Sequence, residues 1–133
     1  MTIKIEELLK ISEIQEQFSM IFPFLKLEFF KKSPQASPLV IKQPLININK
    51  TLAESRTVFK GNIEINITPE MTVSELEKQF NDIYGLSTQV FRKSGNIWLV
   101  TTVTDKWTLA EQNRQGEIIT KQVQERKSKL DEL

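Results

Sequence analysis

Two short segments place adjacent cations after an aromatic residue, an arrangement that can bind a phosphate while the ring stacks on a base. They read Phe30-Lys31-Lys32-Ser33 and Phe91-Arg92-Lys93-Ser94, and each enters a predicted turn. The four cations that would form a pair of basic hairpin tips are Lys31, Lys32, Arg92 and Lys93. The alternative is that both phenylalanines are core residues and the cations protect sheet edges. The net charge of only +1 favours this alternative, since nucleic-acid-binding domains are usually basic.

The two tryptophans are the other residues whose type suggests a role. Trp98 lies in a predicted strand, on the face opposite Ile97 and Leu99, so one of these faces must be exposed or covered by another element. Trp107 directly precedes a predicted helix cap, where an apolar residue commonly packs against the helix entry. Packing is the first interpretation of both residues. The alternative is a hot spot for a partner, because Trp is enriched at the centres of interfaces.

The composition excludes most catalytic and metal chemistry. The chain has no Cys and no His, which removes disulfides, thiolate and imidazole metal sites, and the nucleophile systems that need either residue. The glycines are too far apart for a phosphate-binding loop, and Asp82, Asp105 and Asp131 form no D-x-D set. We therefore expect a protein that is not an enzyme and that has no cofactor and no metal site.

The charge pattern and the apolar runs bear on compartment and partners. Acidic and basic blocks alternate twice along the chain, so acidic helices and basic hairpins could attract one another across a protein–protein contact, or could simply be solvated faces. The first residues are acidic where a signal peptide needs a basic flank, and no apolar run approaches the length of a membrane span. We expect a cytoplasmic protein without a membrane partner.

An internal repeat underlies this alternation. Residues 11–23 align with 73–85, residues 25–33 align with 86–94, and Thr51-Leu-Ala-Glu54 recurs unchanged at 108–111. About half of the aligned positions are identical, and accidental similarity is the alternative. Two copies are too few for a solenoid. They fit two halves of one globule related by approximate two-fold symmetry, as in a fused dimer.

The sequence of the second unit predicts a strand, a helix, a hairpin and a last helix, in that order. The strand has Ile63, Ile65 and Ile67 on one face and ends at Pro69. The helix is capped by Thr72 and Glu75 and ends at Gly85, the hairpin has its turn at 94–96, and the last helix begins with Thr108 and Glu111 as its capping box. The apolar stripe of the first of these helices is Val73, Leu76, Phe80 and Ile83. In the first unit we expect Ser12 and Gln15 as the capping box, a proline-rich connection over 33–38 and a strand interrupted by Pro44.

These elements predict an α+β fold with a two-layer mixed sheet of about six strands and packed helices, built from two pseudo-symmetric β-α-β-β units. We expect one domain over residues 1–116, with units at 1–60 and 61–116. Residues 117–133 break the repeat and form a helical or frayed tail, in which an interrupted apolar stripe is either solvated or buried by a partner.

Residues 62–100, with their order of strand, proline, capped helix, glycine, strand, turn and strand, resemble the central part of the ubiquitin-like β-grasp pattern. This resemblance implies an alternative fold, a β-grasp core with extensions, whose first hairpin strand would come from residues 25–32. It implies no carrier role, because that role in the family requires a Gly-Gly carboxyl end. The chain is also similar to an uncharacterised conserved bacterial family, which implies no activity.

The favoured interpretation is a non-catalytic intracellular module for protein interaction or self-association, through exposed strand edges or the tail helix. The repeat, the missing catalytic residue types and the paired opposite charges motivate it. The alternative is a nucleic-acid-binding accessory protein that uses the paired basic hairpins. The residues of interest for interaction are Lys31, Lys32, Arg92, Lys93, Trp98 and Trp107.

Overall fold

A computed structural model describes residues 1–31, 46–61 and 63–132 of the chain. Lys32, the proline-rich connection over 33–38 and Pro44 lie outside the described residues. The described residues form five strands and four helices. In chain order these are β1 (Ile3–Ile5), α1 (Ile11–Ile21), β2 (Leu25–Phe30), α2 (Leu52–Ser55), β3 (Ile65–Ile67), α3 (Val73–Tyr84), β4 (Ser87–Ser94), β5 (Ile97–Val100) and α4 (Leu109–Asp131).

The strands form two small antiparallel sheets, so the α+β class is confirmed but the single mixed sheet is wrong for the described residues. β1 pairs with β3, with Lys4 opposite Asn66. The other sheet has the order β2-β4-β5, with Glu28 opposite Gln89 in its first ladder. Alternation of apolar residues predicts that a segment is a strand, but it does not specify its partner.

The core lies between the three-stranded sheet and the helices. Leu25, Leu27 and Phe29 of β2 are all buried, as expected for alternate residues of a half-buried strand. The ring of Phe29 meets the ring of Phe80 on α3 edge to face, with centroids 5.1 Å apart. The four isoleucines of the small sheet, Ile3, Ile5, Ile65 and Ile67, are buried in the same core.

Helix α3 follows the sequence prediction closely. The Thr72 hydroxyl accepts a hydrogen bond from the Glu75 amide at 3.1 Å, which satisfies one of the free donors of the first turn. The helix ends at Gly85, whose φ of 64° is the left-handed conformation that glycine adopts without penalty. Val73, Leu76 and Phe80 are buried as predicted, and Ile83 is partly buried against the core.

The capping box predicted at Ser12 and Gln15 of α1 is wrong. The helix begins at Ile11, and the Glu13 carboxylate accepts from the backbone amide of Lys10 at 3.1 Å. The Gln15 side chain instead reaches across to β2 and donates to the carbonyl of Leu27 at 2.9 Å. The N-cap is Lys10, so the helix starts two residues earlier than a cap at Ser12 would place it, and Ile11 is buried.

Two loops dock on the first turns of α1 and α3 through matching backbone hydrogen bonds. The Ile11 amide donates to Lys50 at 2.9 Å, and the Val73 amide donates to Trp107 at 3.2 Å. In the reverse direction the Leu52 amide donates to Leu9 and the Leu109 amide donates to Met71. Isolated bridges join Lys10 with Thr51 and Thr72 with Thr108. These contacts fix where α2 and α4 begin.

Helix α4 consists of a packed half and a solvated half. Leu109, Gln112, Gly116 and Thr120 are buried at the sheet end, whereas residues 121–132 are all exposed. The helix is anchored to the start of β2 because the Phe24 amide donates to Asn113 Oδ1 at 2.9 Å. The domain boundary predicted at residue 116 falls within this continuous helix.

Candidate functional site

The β5 strand is the most exposed apolar element among the described residues that form regular structure. Its residues are Ile97, Trp98, Leu99 and Val100, with exposed fractions of 59%, 36%, 40% and 59%. The strand pairs with β4 on one side, and no strand of the described residues pairs with its other side. We call this unpaired side the β5 edge. It presents free backbone donors and acceptors next to apolar side chains.

The hairpin prediction for β4 and β5 is confirmed. A turn at Gly95 and Asn96 joins the two strands, with Ser94 opposite Ile97. The turn is held from below by α4, because the Gly95 amide donates to the Thr120 hydroxyl at 3.2 Å. The strand β5 ends at Val100. The edge is therefore carried on a fixed hairpin.

Trp98 lies on the sheet face that points away from the helices, which we call the outer face. Phe91 pairs with Lys26 across the β2–β4 ladder, and Trp98 pairs with Lys93 across the β4–β5 ladder. The buried Leu27 and Val90 lie on the other face of the sheet. The Lys26 ammonium lies over both rings, 5.1 Å from the Phe91 centroid and 5.2 Å from the Trp98 centroid. Such cation–π contacts are worth about 0.5–1 kcal/mol at exposed sites, so Trp98 is held in place.

Arg92 points to the helix side and is not a free basic tip. Its Nη1 donates to Gln112 Oε1 at 3.0 Å, and its guanidinium carbon lies 5.6 Å from the Trp107 ring centroid. Gln112 is fully buried and donates in turn to the carbonyl of Thr104 at 2.7 Å. The Arg92 Nε atom is buried without a hydrogen-bond partner among the described residues. Arg92 thus links β4, α4 and the loop before α4.

Trp107 combines a loop position with a half-exposed ring, at 39% exposure. Its carbonyl accepts from the Val73 amide, so its backbone belongs to the docked loop before α4. Its ring contacts the Arg92 guanidinium. The structure therefore brings Trp107 and Arg92 together, while Trp98 lies on the opposite side of the sheet from Arg92.

The basic residues do not form one patch. Leu25 is opposite Arg92 and Phe30 is opposite Ser87, so Lys31 follows the end of the ladder that is distant from Arg92 and Lys93. The ladder is six residue pairs long, which is roughly 20 Å. The paired basic tips predicted from the sequence therefore lie at opposite ends of the β2–β4 ladder, and Lys32 is outside the described residues.

Burial is the main cause of a raised pKa at two ionisable groups, Glu77 and Tyr84. Burial, with the nearby Asp105 charge as the second cause, raises the pKa of Glu77 to about 7. Burial also raises the pKa of the Tyr84 phenol, which donates to the carbonyl of Ile63 at 3.1 Å. Tyr84 borders a small cleft of about 170 Å³, below the roughly 300 Å³ of ordinary ligand pockets. Its hydroxyl is engaged in holding the chain near β3.

Within residues 1–31, 46–61 and 63–132, no group of three or more acidic, His or Cys side chains is placed to hold a metal ion. No helix in these ranges is both long and apolar enough to cross a membrane.

The exposure of both faces of β5 and the inward position of Arg92 were not predicted. The sequence did carry one signal for the exposure of β5, because residues 94–104 contain no charged residue. Arg92 gave no such signal, since its partner Gln112 is distant in sequence and is itself a polar residue that would be expected at the surface. Comparisons with protein-family models, with curated proteins and with solved structures find no match to this chain.

Proposed function

We propose that this protein is a non-catalytic protein-interaction module that binds its partner along the β5 edge. The observation that carries the proposal is the exposure of all four β5 side chains beside an unpaired strand edge. An added strand would receive main-chain hydrogen bonds from the edge, and alternate side chains would supply specificity. Trp98 on the outer face is the candidate hot spot, because it is large, half-exposed and held by Lys26.

The edge lacks the features that keep free edges from associating. Natural edge strands commonly carry Lys, Pro or a bulge. None of Ile97, Trp98, Leu99 and Val100 is charged, and the register with β4 is continuous. An apolar edge of this kind is expected either to bind a partner or to aggregate.

We also propose that the chain consists of two pseudo-symmetric units. The matching hydrogen bonds at the starts of α1 and α3, and the two isolated bridges, support this proposal. The strand ladders agree with it, because Lys4 pairs with Asn66 and Glu28 pairs with Gln89, each of which is the aligned residue of the other unit. The order of β3, α3, β4 and β5 is also the order that the β-grasp resemblance implies, and that resemblance remains a proposal.

An affinity-capture experiment tests the interaction function. The full chain is immobilised and exposed to lysate, as wild type, Val100→Lys and Val103→Lys. Val100 lies in β5, whereas Val103 lies beyond the strand and is 98% exposed. Val103→Lys is therefore the matched control for Val100→Lys. We expect Val100→Lys to lose captured protein about tenfold or more, and Val103→Lys to behave as wild type. Equal capture by all three chains, together with no self-association of the wild type, would contradict the proposed role of the edge.

The nucleic-acid alternative is less well supported. It needs two basic tips whose cations are free to bind phosphate, but Arg92 donates to Gln112 and lies on the helix side of the sheet. Retention of the wild-type chain on heparin at low salt, lost in a Lys31→Ala, Lys93→Ala double variant, would favour this alternative over the edge.

A further inference from the structure

The sequence around β5 has a property that bears on which partner fits it. From Ser94 to Thr104 the chain has eleven residues without a charge, bounded by Lys93 and Asp105. A strand of this kind meets no like charge when it lies beside an identical strand, because like charges directly opposite are what destabilise such pairs. The β5 segment therefore carries no charge that opposes pairing with a second copy of itself.

We propose that β5 pairs antiparallel with β5 of a second copy of this chain. This inference rests on the proposed interaction function and names the partner. The two-fold axis is perpendicular to the sheet, so each face continues into the same face of the second copy. The result is one sheet of six strands, with the two β2 strands at its outer edges.

The proposed register places Leu99 on the two-fold axis, opposite Leu99 of the partner subunit. Trp98 is then directly opposite Val100 of the partner subunit on the outer face, and the same pair forms a second time by symmetry. Aromatic and β-branched residues are favourable cross-strand neighbours. Both residues are exposed in the single chain, so pairing covers side chains that are otherwise in contact with water.

The exposed area matches a dissociable dimer. A large apolar side chain presents about 200 Å² when fully exposed. With the exposed fractions given above, β5 offers roughly 400 Å² per chain, and Trp107 and Val123 near the hairpin add to it. Two copies together therefore bury at most about 1,000 Å², the lower end of specific interfaces. Because each chain uses its single β5 edge, the pairing closes at two copies.

Sedimentation of the full chain over a concentration series tests this proposal. We expect the wild type to change from a 15.5 kDa monomer at about 1 µM to a dimer at about 300 µM. Val103→Lys should follow the wild type. Val100→Lys should remain monomeric over the whole range, because the lysine places two charges beside the axis. A circular-dichroism spectrum checks that each variant is folded.

A cross-linking experiment decides the case if Val100→Lys does not fold. The chain has no cysteine, so a single Leu99→Cys substitution gives one defined thiol. In the proposed dimer the two thiols face each other, and mild oxidation should yield a covalent dimer. Val103→Cys is the control, since Val103 lies beyond the end of β5 and outside the proposed pairing. Equal rates of cross-linking for the two variants would overturn the register.

Other outcomes overturn the dimer itself. A wild type that stays monomeric at about 300 µM, a Val100→Lys chain that dimerises like the wild type, or open-ended aggregates instead of dimers would each do so. A monomeric wild type whose capture of other proteins is still lost in Val100→Lys would refute the second copy and leave the interaction function standing. A monomer that captures nothing would remove both.

Discussion

Two identical tetrapeptides begin helices of very different length in this molecule. Thr51-Leu-Ala-Glu54 begins α2, which is 4 residues long, and Thr108-Leu-Ala-Glu111 begins α4, which is 23 residues long. Both threonine hydroxyls accept from the glutamate amide three residues on, at 3.2 Å and 3.1 Å. Both leucines are fully buried. The local sequence therefore sets where a helix starts but not how far it continues.

The residues that follow the tetrapeptides explain the difference. After α2 the chain turns to the end of α3, where the Thr57 amide donates to the carbonyl of Tyr84 and its hydroxyl to that of Gly85. After Glu111 the chain packs Gln112, Gly116 and Thr120 against the β4 side of the sheet. A short helix is marginal without tertiary contacts, so packing decides its length.

The largest expected effect comes from removing the two buried leucines, one from each tetrapeptide. We expect Leu52→Ala and Leu109→Ala each to lower the free energy of unfolding by about 3 kcal/mol, because each leaves a cavity in the core. The two losses should agree within about 1 kcal/mol although the helices differ in length. Urea unfolding followed by circular dichroism measures them.

The control for these variants is Leu130→Ala, at an exposed position of α4, which should change stability by less than about 0.5 kcal/mol. If Leu52→Ala lowers the free energy of unfolding by less than about 1 kcal/mol, α2 contributes little to the core. The two tetrapeptides would then be alike in their helix caps but not in the packing of their leucines.

The next effect tests what makes α4 long. A Cβ atom at Gly116 would lie 2.9 Å from Phe24 Cβ and 3.2 Å from the Phe24 carbonyl oxygen, so a larger residue must displace the helix from the sheet. We expect Gly116→Val to lower the free energy of unfolding by about 2–3 kcal/mol. Gln122→Val, exposed on the same helix, should cost less than about 1 kcal/mol. Helix propensity alone favours Val over Gly, so a Gly116→Val chain that is as stable as the wild type would show that the close contact with Phe24 does not restrict this position.

Features that depend on neighbouring residues were predictable from the sequence, and features that depend on distant ones were not. The Thr72 cap, the apolar stripe and the Gly85 end of α3 are all local, and all three were right. The prediction of a single sheet was wrong, because strand partners are distant in sequence: β1 pairs with β3, more than fifty residues away. At the candidate site, strand alternation correctly predicted that Trp98 and Leu99 lie on different faces of the sheet. No local pattern showed that both faces of β5 would be exposed.

A smaller effect concerns a difference between the two helices that carry the cores of the proposed units. Glu77 on α3 aligns with Gln15 on α1, whose neutral amide donates to Leu27. Burial and Asp105 raise the pKa of Glu77 from 4.5 to about 7. The folded state therefore binds the Glu77 proton more tightly than the unfolded state does. Its contribution to stability is fully present below pH 4.5 and is lost as the pH rises through about 7.

Glu77→Gln should remove this loss. We expect the variant to be more stable than the wild type at pH 8, by at most about 2 kcal/mol because Glu77 is partly exposed, and equally stable at pH 4. Urea unfolding at several pH values measures the difference. The exposed Glu75→Gln is the control and should keep the wild-type pH dependence. A constant difference across the pH range would mean that the substitution acts through packing and not through the proton.

The smallest effect returns to the caps of the identical tetrapeptides. We expect Thr51→Ala and Thr108→Ala each to lower the free energy of unfolding by about 1 kcal/mol, since each leaves a first-turn amide without its acceptor. The loss at Thr51 should be the larger, because its hydroxyl also donates to the Glu54 carboxylate at 3.0 Å. Conservative Thr→Ser variants at both positions keep the oxygen and should restore most of the stability. A Thr108→Ala chain that also loses the helical signal of α4 would show that the cap, and not packing on β4, controls how far that helix extends.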